Sequence, residues 1–306
     1  MFRTLAAAIA LTCAAFAAPL QSQTPQPAGR PAPAATAAPR SALPLDEDSV
    51  KFAVIGDTGT GGTQQYDIAR RLTEARARFP FEFVIMLGDN IYGSEGPGAY
   101  VTKFERPYKP LLDAGVPFYA ALGNHDEPSQ RFYKPFNMDG KRYYTFRKDD
   151  VEFFVLDSSY MTPDQVRWLE GALSKSDADW KIPYMHHPMY SSGAKHGSEV
   201  NLRTLVEPLF LKNGVDVVFA GHEHFYERLK PQKGVFYITQ GGSAKLRSGN
   251  IVRNSPMTAK GFDSDYSFTL IEVEDDYMHV ETVSRRGQIV DSTVIPRREI
   301  SVPATR

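Results

Sequence analysis

Residues 215–228 read "VDVVFAGHEHFYER". Five of the first six residues, 215–220, are apolar, as in a strand buried on both faces. The chain then turns at Gly221 and places His222 and His224 one residue apart. Alternate residues of an extended stretch point the same way. Both imidazoles are therefore expected on one side, with Glu223 facing away.

The same sentence of residues is written at other strand ends. "KFAVIG" (51–56), "FEFVIMLG" (81–88) and "VPFYAALG" (116–123) are apolar runs that also end in glycine. They continue as "GDTG" (56–59), "GDNIY" (88–92) and "GNHD" (123–126). "KIPYMH" (181–186) runs into "HHP" (186–188). A glycine there lets the backbone turn sharply, and ligands gather at the carboxyl ends of strands in open α/β sheets. These ends offer Asp57, Asp89, Tyr92, Asn124, His125, His186, His187, His222 and His224. Singly, an Asp after a strand is a turn former and a lone His a surface residue. Jointly, so many oxygen and imidazole donors suit two cations bridged by one carboxylate. Asp157 ends the strand "VEFFVLD" (151–157) without a preceding glycine and is left out of the set.

Helical patterns alternate with these strands over roughly 64–79, from Thr162, and over 199–212. Thr162, Pro163 and Gln165 form a capping-box arrangement, with Val166, Leu169 and Leu173 inward. The alternation predicts a layered α/β domain over 48–297. From residue 234 the pattern becomes strands only, and a second, largely antiparallel sheet is expected there. The 306-residue chain is 42% hydrophobic and 23% charged with a net charge of −1, which gives no footprint for nucleic acid and no cationic membrane surface. The basic run "ARRLTEARAR" (69–78) reads as the solvated face of a helix whose Ile68, Leu72, Ala75 and Phe79 turn inward.

Residues 1–18 carry Arg3, an Ala/Leu-rich run and small residues at Ala15, Ala17 and Ala18, the pattern of a signal peptide for export to the periplasm or medium. The run is short for a membrane span. Residues 19–47 are rich in Pro and Ala and read as a disordered linker, and 298–306 as a tail. Cys13 is the only cysteine, so a metal site in the mature chain must use other donors.

The order of "GDTG", "GDNIY", "GNHD", "HHP" and "GHEH" resembles that of calcineurin-like metallophosphoesterases, and within them purple acid phosphatases of the tartrate-resistant type. Tyr92, three residues after Asp89, stands where those enzymes have a metal-binding tyrosinate; "GHEHFYER" is similar to their GHxHxYER run; "AKHGS" (194–198) resembles the segment with an additional active-site His. The resemblance spans roughly residues 50–297. It implies a four-layer α/β/β/α sandwich with a dinuclear metal site at the carboxyl ends of the strands. It implies Fe(III) on Asp57, Asp89, Tyr92 and His224. A divalent Fe, Zn or Mn is implied on Asp89, Asn124, His186 and His222, with Asp89 bridging. His186 rather than His187 is the ligand, because the family's histidine lies two residues before the proline. Glu127 departs from related sequences, the disulfide of the animal enzymes is absent, and loops 93–99, 127–142 and 243–260 match nothing.

The implied activity is hydrolysis of small phosphate monoesters by a metal-bound hydroxide attacking in line, without a phosphoenzyme and with an acidic optimum. His125 is expected to steady the phosphoryl group or protonate the leaving oxygen, with Asp126 orienting its ring and His196 the second candidate. His279 is read as structural. The alternatives are a phosphodiesterase or nucleotidase on the same site, and a non-catalytic metal-binding protein on the same fold. The oligomeric state is open.

Overall fold

The computed structural model describes Leu43, Asp46 and residues 48–298. The expected signal peptide, all of the expected linker but Leu43 and Asp46, and all of the expected tail but Arg298 lie outside the described residues. The strands are β1 (Val50–Ile55), β2 (Phe83–Met86), β3 (Phe118–Ala120), β4 (Tyr144–Lys148), β5 (Val151–Val155), β6 (Trp180–Met185), β7 (Val217–Ala220), β8 (Tyr226–Leu229), β9 (Phe236–Gln240), β10 (Thr258–Phe262), β11 (Ser267–Val273), β12 (Tyr277–Ser284) and β13 (Ile289–Pro296). The helices are α1 (Thr63–Arg76), α2 (Pro97–Tyr100), α3 (Lys109–Asp113), α4 (Pro163–Lys175) and α5 (Val200–Lys212).

Two mixed sheets face each other, in the orders β13-β12-β11-β1-β2-β3 and β10-β8-β9-β7-β6-β5-β4. All six residues of β1 and of β6 are buried, which explains their continuous apolar runs. The layer between the sheets is aromatic. Phe52 of β1 stacks on Phe83 of β2 at 5.2 Å, and both meet Phe153 of β5 edge-on at 5.2 and 5.4 Å. Ile68 and Leu72 of α1 pack with the first sheet. Leu169 and Leu173 of α4 and Leu202, Val206 and Phe210 of α5 cover the second, against Phe154, Met185 and Val218. Helix on sheet on sheet on helix is the predicted four-layer sandwich.

The expectation of a separate late sheet is overturned. β9 inserts beside β7 in parallel, with Val217 opposite Phe236, while β11 pairs antiparallel with β1, Ala53 opposite Leu270. The late strands thus complete both sheets. β4, β8 and β10 were not expected. β8 begins inside the "FYER" run, at Tyr226.

α4 starts as its sequence requires, with Thr162 Oγ1 accepting the N–H of Gln165 at 3.2 Å. The other half of the capping box does not form. The Gln165 amide instead exchanges hydrogen bonds with the backbone of Asp157, at 2.8 and 3.0 Å. Gln165 is buried as a result, and Val166 is only half-buried.

Candidate metal centre

Parallel strands β1, β2 and β3 in one sheet, and β6 and β7 in the other, end at one edge of the sandwich, and their next residues converge. Asp57, Asp89 and His222 each follow a glycine and adopt φ of 56°, 53° and 68°. Left-handed backbone in non-glycine residues costs energy and is concentrated at functional sites. The glycines are needed for room: a Cβ at Gly123 would lie 2.3 Å from both the N and the Oδ1 of Asp89. One at Gly88 would lie 2.6 Å from Nδ1 of His186.

Two clusters result. In the first, Tyr92 Oη donates to Asp57 Oδ1 at 3.1 Å, and His224 Nε2 lies 3.3 Å from that oxygen and 3.4 Å from the phenol. In the second, His186 Nε2 lies 2.9 Å from Asn124 Oδ1, 3.4 Å from Asp89 Oδ1 and 3.2 Å from His222 Nδ1. Donor atoms of Asp57, Asp89 and His186 all lie within 4.8 Å of one another, which joins the clusters at Asp89. All seven predicted ligands are therefore brought together.

The electrostatics call for cations. Asp57 and Asp89 are 0% and 1% exposed. Burial, and then the nearby Asp89, push the Asp57 carboxyl well above the usual carboxylate range. Burial holds His186 well below the ordinary imidazole range, and holds His222 and His224 down to about 2 and about 3. Burial together with Asp57 and Asp89 keeps the Tyr92 phenol far above its ordinary value. Neutral imidazoles gathered around buried acids are the donor set of a metal site. Asp57, Tyr92 and His224 could hold one ion, and Asn124, His186 and His222 another, with Asp89 between them.

The expected geometry of "GHEH" differs in its cause. Residues 222–225 are bends and His222 is left-handed, so the stretch is not an extended strand. The imidazoles still reach different clusters, and Glu223 turns away. Asp126 also departs from expectation. Its carboxylate accepts the N–H groups of Asn90, Ile91 and Gly123 at 2.8, 3.1 and 2.8 Å, and the amide of Gln130 at 2.8 Å. It braces the loops after β2 and β3 rather than orienting the ring of His125. Burial, then Asp89, raises its pKa to about 7. His125 is exposed, anchors its N–H on Asp89 Oδ1 at 3.0 Å and holds its ring 5.0 Å from that of Tyr92. His196 is exposed with Nδ1 2.6 Å from Nε2 of His222. His279 lies in β12 beside Glu274, at 3.3 Å. Asp157, left out of the set, caps the turn Ser158–Tyr160 and pairs with Arg142.

Sequence reasoning missed two cations. Lys245 places Nζ 4.4 Å from the centre of the Tyr92 ring. Arg247 ties its N–H to the carbonyl of His224 at 2.9 Å. Both belong to the 243–260 loop, which carries no motif, so only their position reveals them.

The sequence model of the calcineurin-like phosphoesterase family matches residues 50–226. Acid phosphatase type 7 of Homo sapiens is 31% identical, with 81% of this chain and 68% of that protein covered. Tartrate-resistant acid phosphatase type 5 of Rattus norvegicus is 24% identical over 82% and 91% of the two chains. The structure of a purple acid phosphatase from yellow lupin seeds superposes with a TM-score of 0.69 at 18% identity, over 85% of this chain and 58% of that one. A family match over more than half the chain, on a fold that gathers these donors at one edge, makes the protein a member of the calcineurin-like phosphoesterase family, a metal-dependent phosphatase similar to purple acid phosphatases.

Proposed function

We propose that the protein is an exported acid phosphatase that hydrolyses small phosphate monoesters at a mixed-valence or heterodinuclear centre. One observation carries the reading: carboxylate, phenol, amide and imidazole donors from five separate chain segments meet within hydrogen-bond distance of one another.

Asp57, Tyr92 and His224 are assigned to Fe(III), since a phenolate adds charge and hardness to that position. Asn124, His186 and His222 would hold a divalent Fe, Zn or Mn, and Asp89 would serve both sites. When bound, the two cations supply Lewis acidity, acidifying the attacking water and drawing charge from the phosphoryl oxygens. The remaining work belongs to the chain. Leu87 accepts from Nδ1 of His186 at 2.9 Å and so turns Nε2 inward. Lys245 and Arg247 draw an anionic ester toward the pocket. His125, exposed beside Asp89 and Tyr92, is placed to hold a proton for the leaving oxygen, with His196 the alternative on the far side of His222. Export rests on the signal-like residues 1–18, and an acidic optimum rests on the trivalent ion.

The test is to purify the protein from the periplasm or medium, determine its N-terminus and metals, and assay a nitrophenyl monoester and its bis-ester across pH. The expected result is a chain beginning near residue 19, two metals, a phenolate-to-iron absorption band and monoester turnover that is fastest in acid. Tyr92→Phe should lose the band. An iron-free wild type, a band that survives Tyr92→Phe, or a preference for the bis-ester would each sink the corresponding part of the reading.

A further inference from the structure

His187 has no place in the ligand set that the family motif implies, yet its ring borders that set. A ring nitrogen of His187 lies within 4.8 Å of those offered by His186 and His222. The ring centre is 4.5 Å from that of His222 and 4.9 Å from that of His186.

The ring is also held. Its Nδ1 is 2.9 Å from Ser158 Oγ, and the same hydroxyl accepts the backbone N–H of His187 at 2.9 Å. Ser158 is itself fixed, because it opens the turn that Asp157 caps by accepting the N–H groups of Ser159 and Tyr160 at 3.1 and 3.2 Å. The outer side of His186 is held alike, its Nδ1 meeting Leu87 O at 2.9 Å while its Nε2 faces Asn124 and Asp89. Metal-binding imidazoles are oriented in this way, with the outer nitrogen on a hydrogen-bond partner and the inner one on the ion. In the tautomer that donates Nδ1–H to Ser158, Nε2 of His187 keeps its lone pair.

We propose that His187 is a further ligand of the divalent ion, beside His186 and His222, and that Ser158 is its positioning residue. This rests on the dinuclear reading above. Three imidazoles with one amide oxygen and one carboxylate form a borderline donor set. Such a set favours zinc over manganese, which prefers oxygen.

The test is calorimetric titration of metal-stripped protein with zinc, supported by metal analysis, on the wild type, His187→Ala, Ser158→Ala and the control His279→Ala. The wild type and the control should bind zinc with the same affinity. His187→Ala should bind the ion of the divalent site at least about tenfold more weakly, the usual minimum for loss of even an outer partner. Ser158→Ala should weaken the same site by about tenfold while leaving the stoichiometry of the wild type. Unchanged zinc affinity in His187→Ala overturns this inference and leaves the dinuclear reading standing. A wild type that binds neither zinc nor iron overturns both. If His187→Ala does not fold, as judged by circular dichroism, Ser158→Ala decides: unchanged affinity there overturns the inference.

Discussion

Glu223 stands between two proposed ligands and points the other way. It is fully buried, and its Oε1 accepts the N–H of His196 at 3.3 Å and of Gly197 at 2.8 Å. Its Oε2 accepts from Asn250 at 3.0 Å and lies 3.4 Å from Arg247. One carboxylate thus clamps the loop that carries His196 to the loop that carries Arg247, and a guanidinium offsets its buried charge. Glu223→Gln keeps the volume but turns an amide N–H₂ toward existing donors. The expected outcome is a loss of turnover of up to about a hundredfold, the scale for slight misplacement of active-site groups. Metal analysis should still find two ions per chain. Unaltered kinetics would show that neither loop needs the clamp. The sequence announces none of this, because a Glu between two histidines reads as a spacer until its burial is known.

At the scale of elements, the apolar runs and the glycines that end them were legible, because burial on both faces leaves an unbroken hydrophobic string. Their ends were less so. β2 spans only Phe83–Met86, although "FEFVIMLG" is apolar over most of its length. Phe81 and Leu87 lie outside the strand yet are fully buried, and the Leu87 N–H still bonds the carbonyl of Ile55 in β1 at 2.9 Å. The start of α4 was readable at Thr162 and misread at Gln165, whose partner proved to be the backbone of Asp157. Thr162→Ala should remove one capping bond and cost about 1 kcal/mol. That corresponds to a fall in Tm of about 2–4 °C for a domain of this size, measurable by differential scanning calorimetry. A fall several times larger would mean that the cap also supports the Asp157–Ser158 turn.

At the scale of the whole molecule, Asp216 links distant parts of the chain. It is 2% exposed. Its carboxylate accepts the N–H of Lys181 in β6 at 3.1 Å and of Arg298, beyond β13, at 2.8 Å. Burial outweighs those hydrogen bonds and raises its pKa from 3.8 to about 6. A carboxyl raised in the folded state contributes stability below the unfolded value, and that contribution is lost as pH rises through the folded value. The stability of the wild type relative to Asp216→Asn should therefore decline between about pH 4 and pH 7. At about 1.4 kcal/mol per pH unit the decline is up to about 3 kcal/mol. Thermal unfolding of both proteins across that range checks it; a constant difference would contradict the burial argument.

What the sequence determined by itself is local: which runs are buried, where each turns, and which donor types follow each turn. Those facts depend on residues within a few positions of one another, and they sufficed to name nine candidate side chains, from which the family resemblance singled out seven as ligands. Strand partners came only from the tertiary structure, because an apolar strand suits either sheet, and β9 and β11 joined different ones. The same holds for Lys245, Arg247, Glu223 and the true partner of Asp126. Their roles rest on contacts between segments far apart in the chain, where the geometry of close packing decides which polar group meets which.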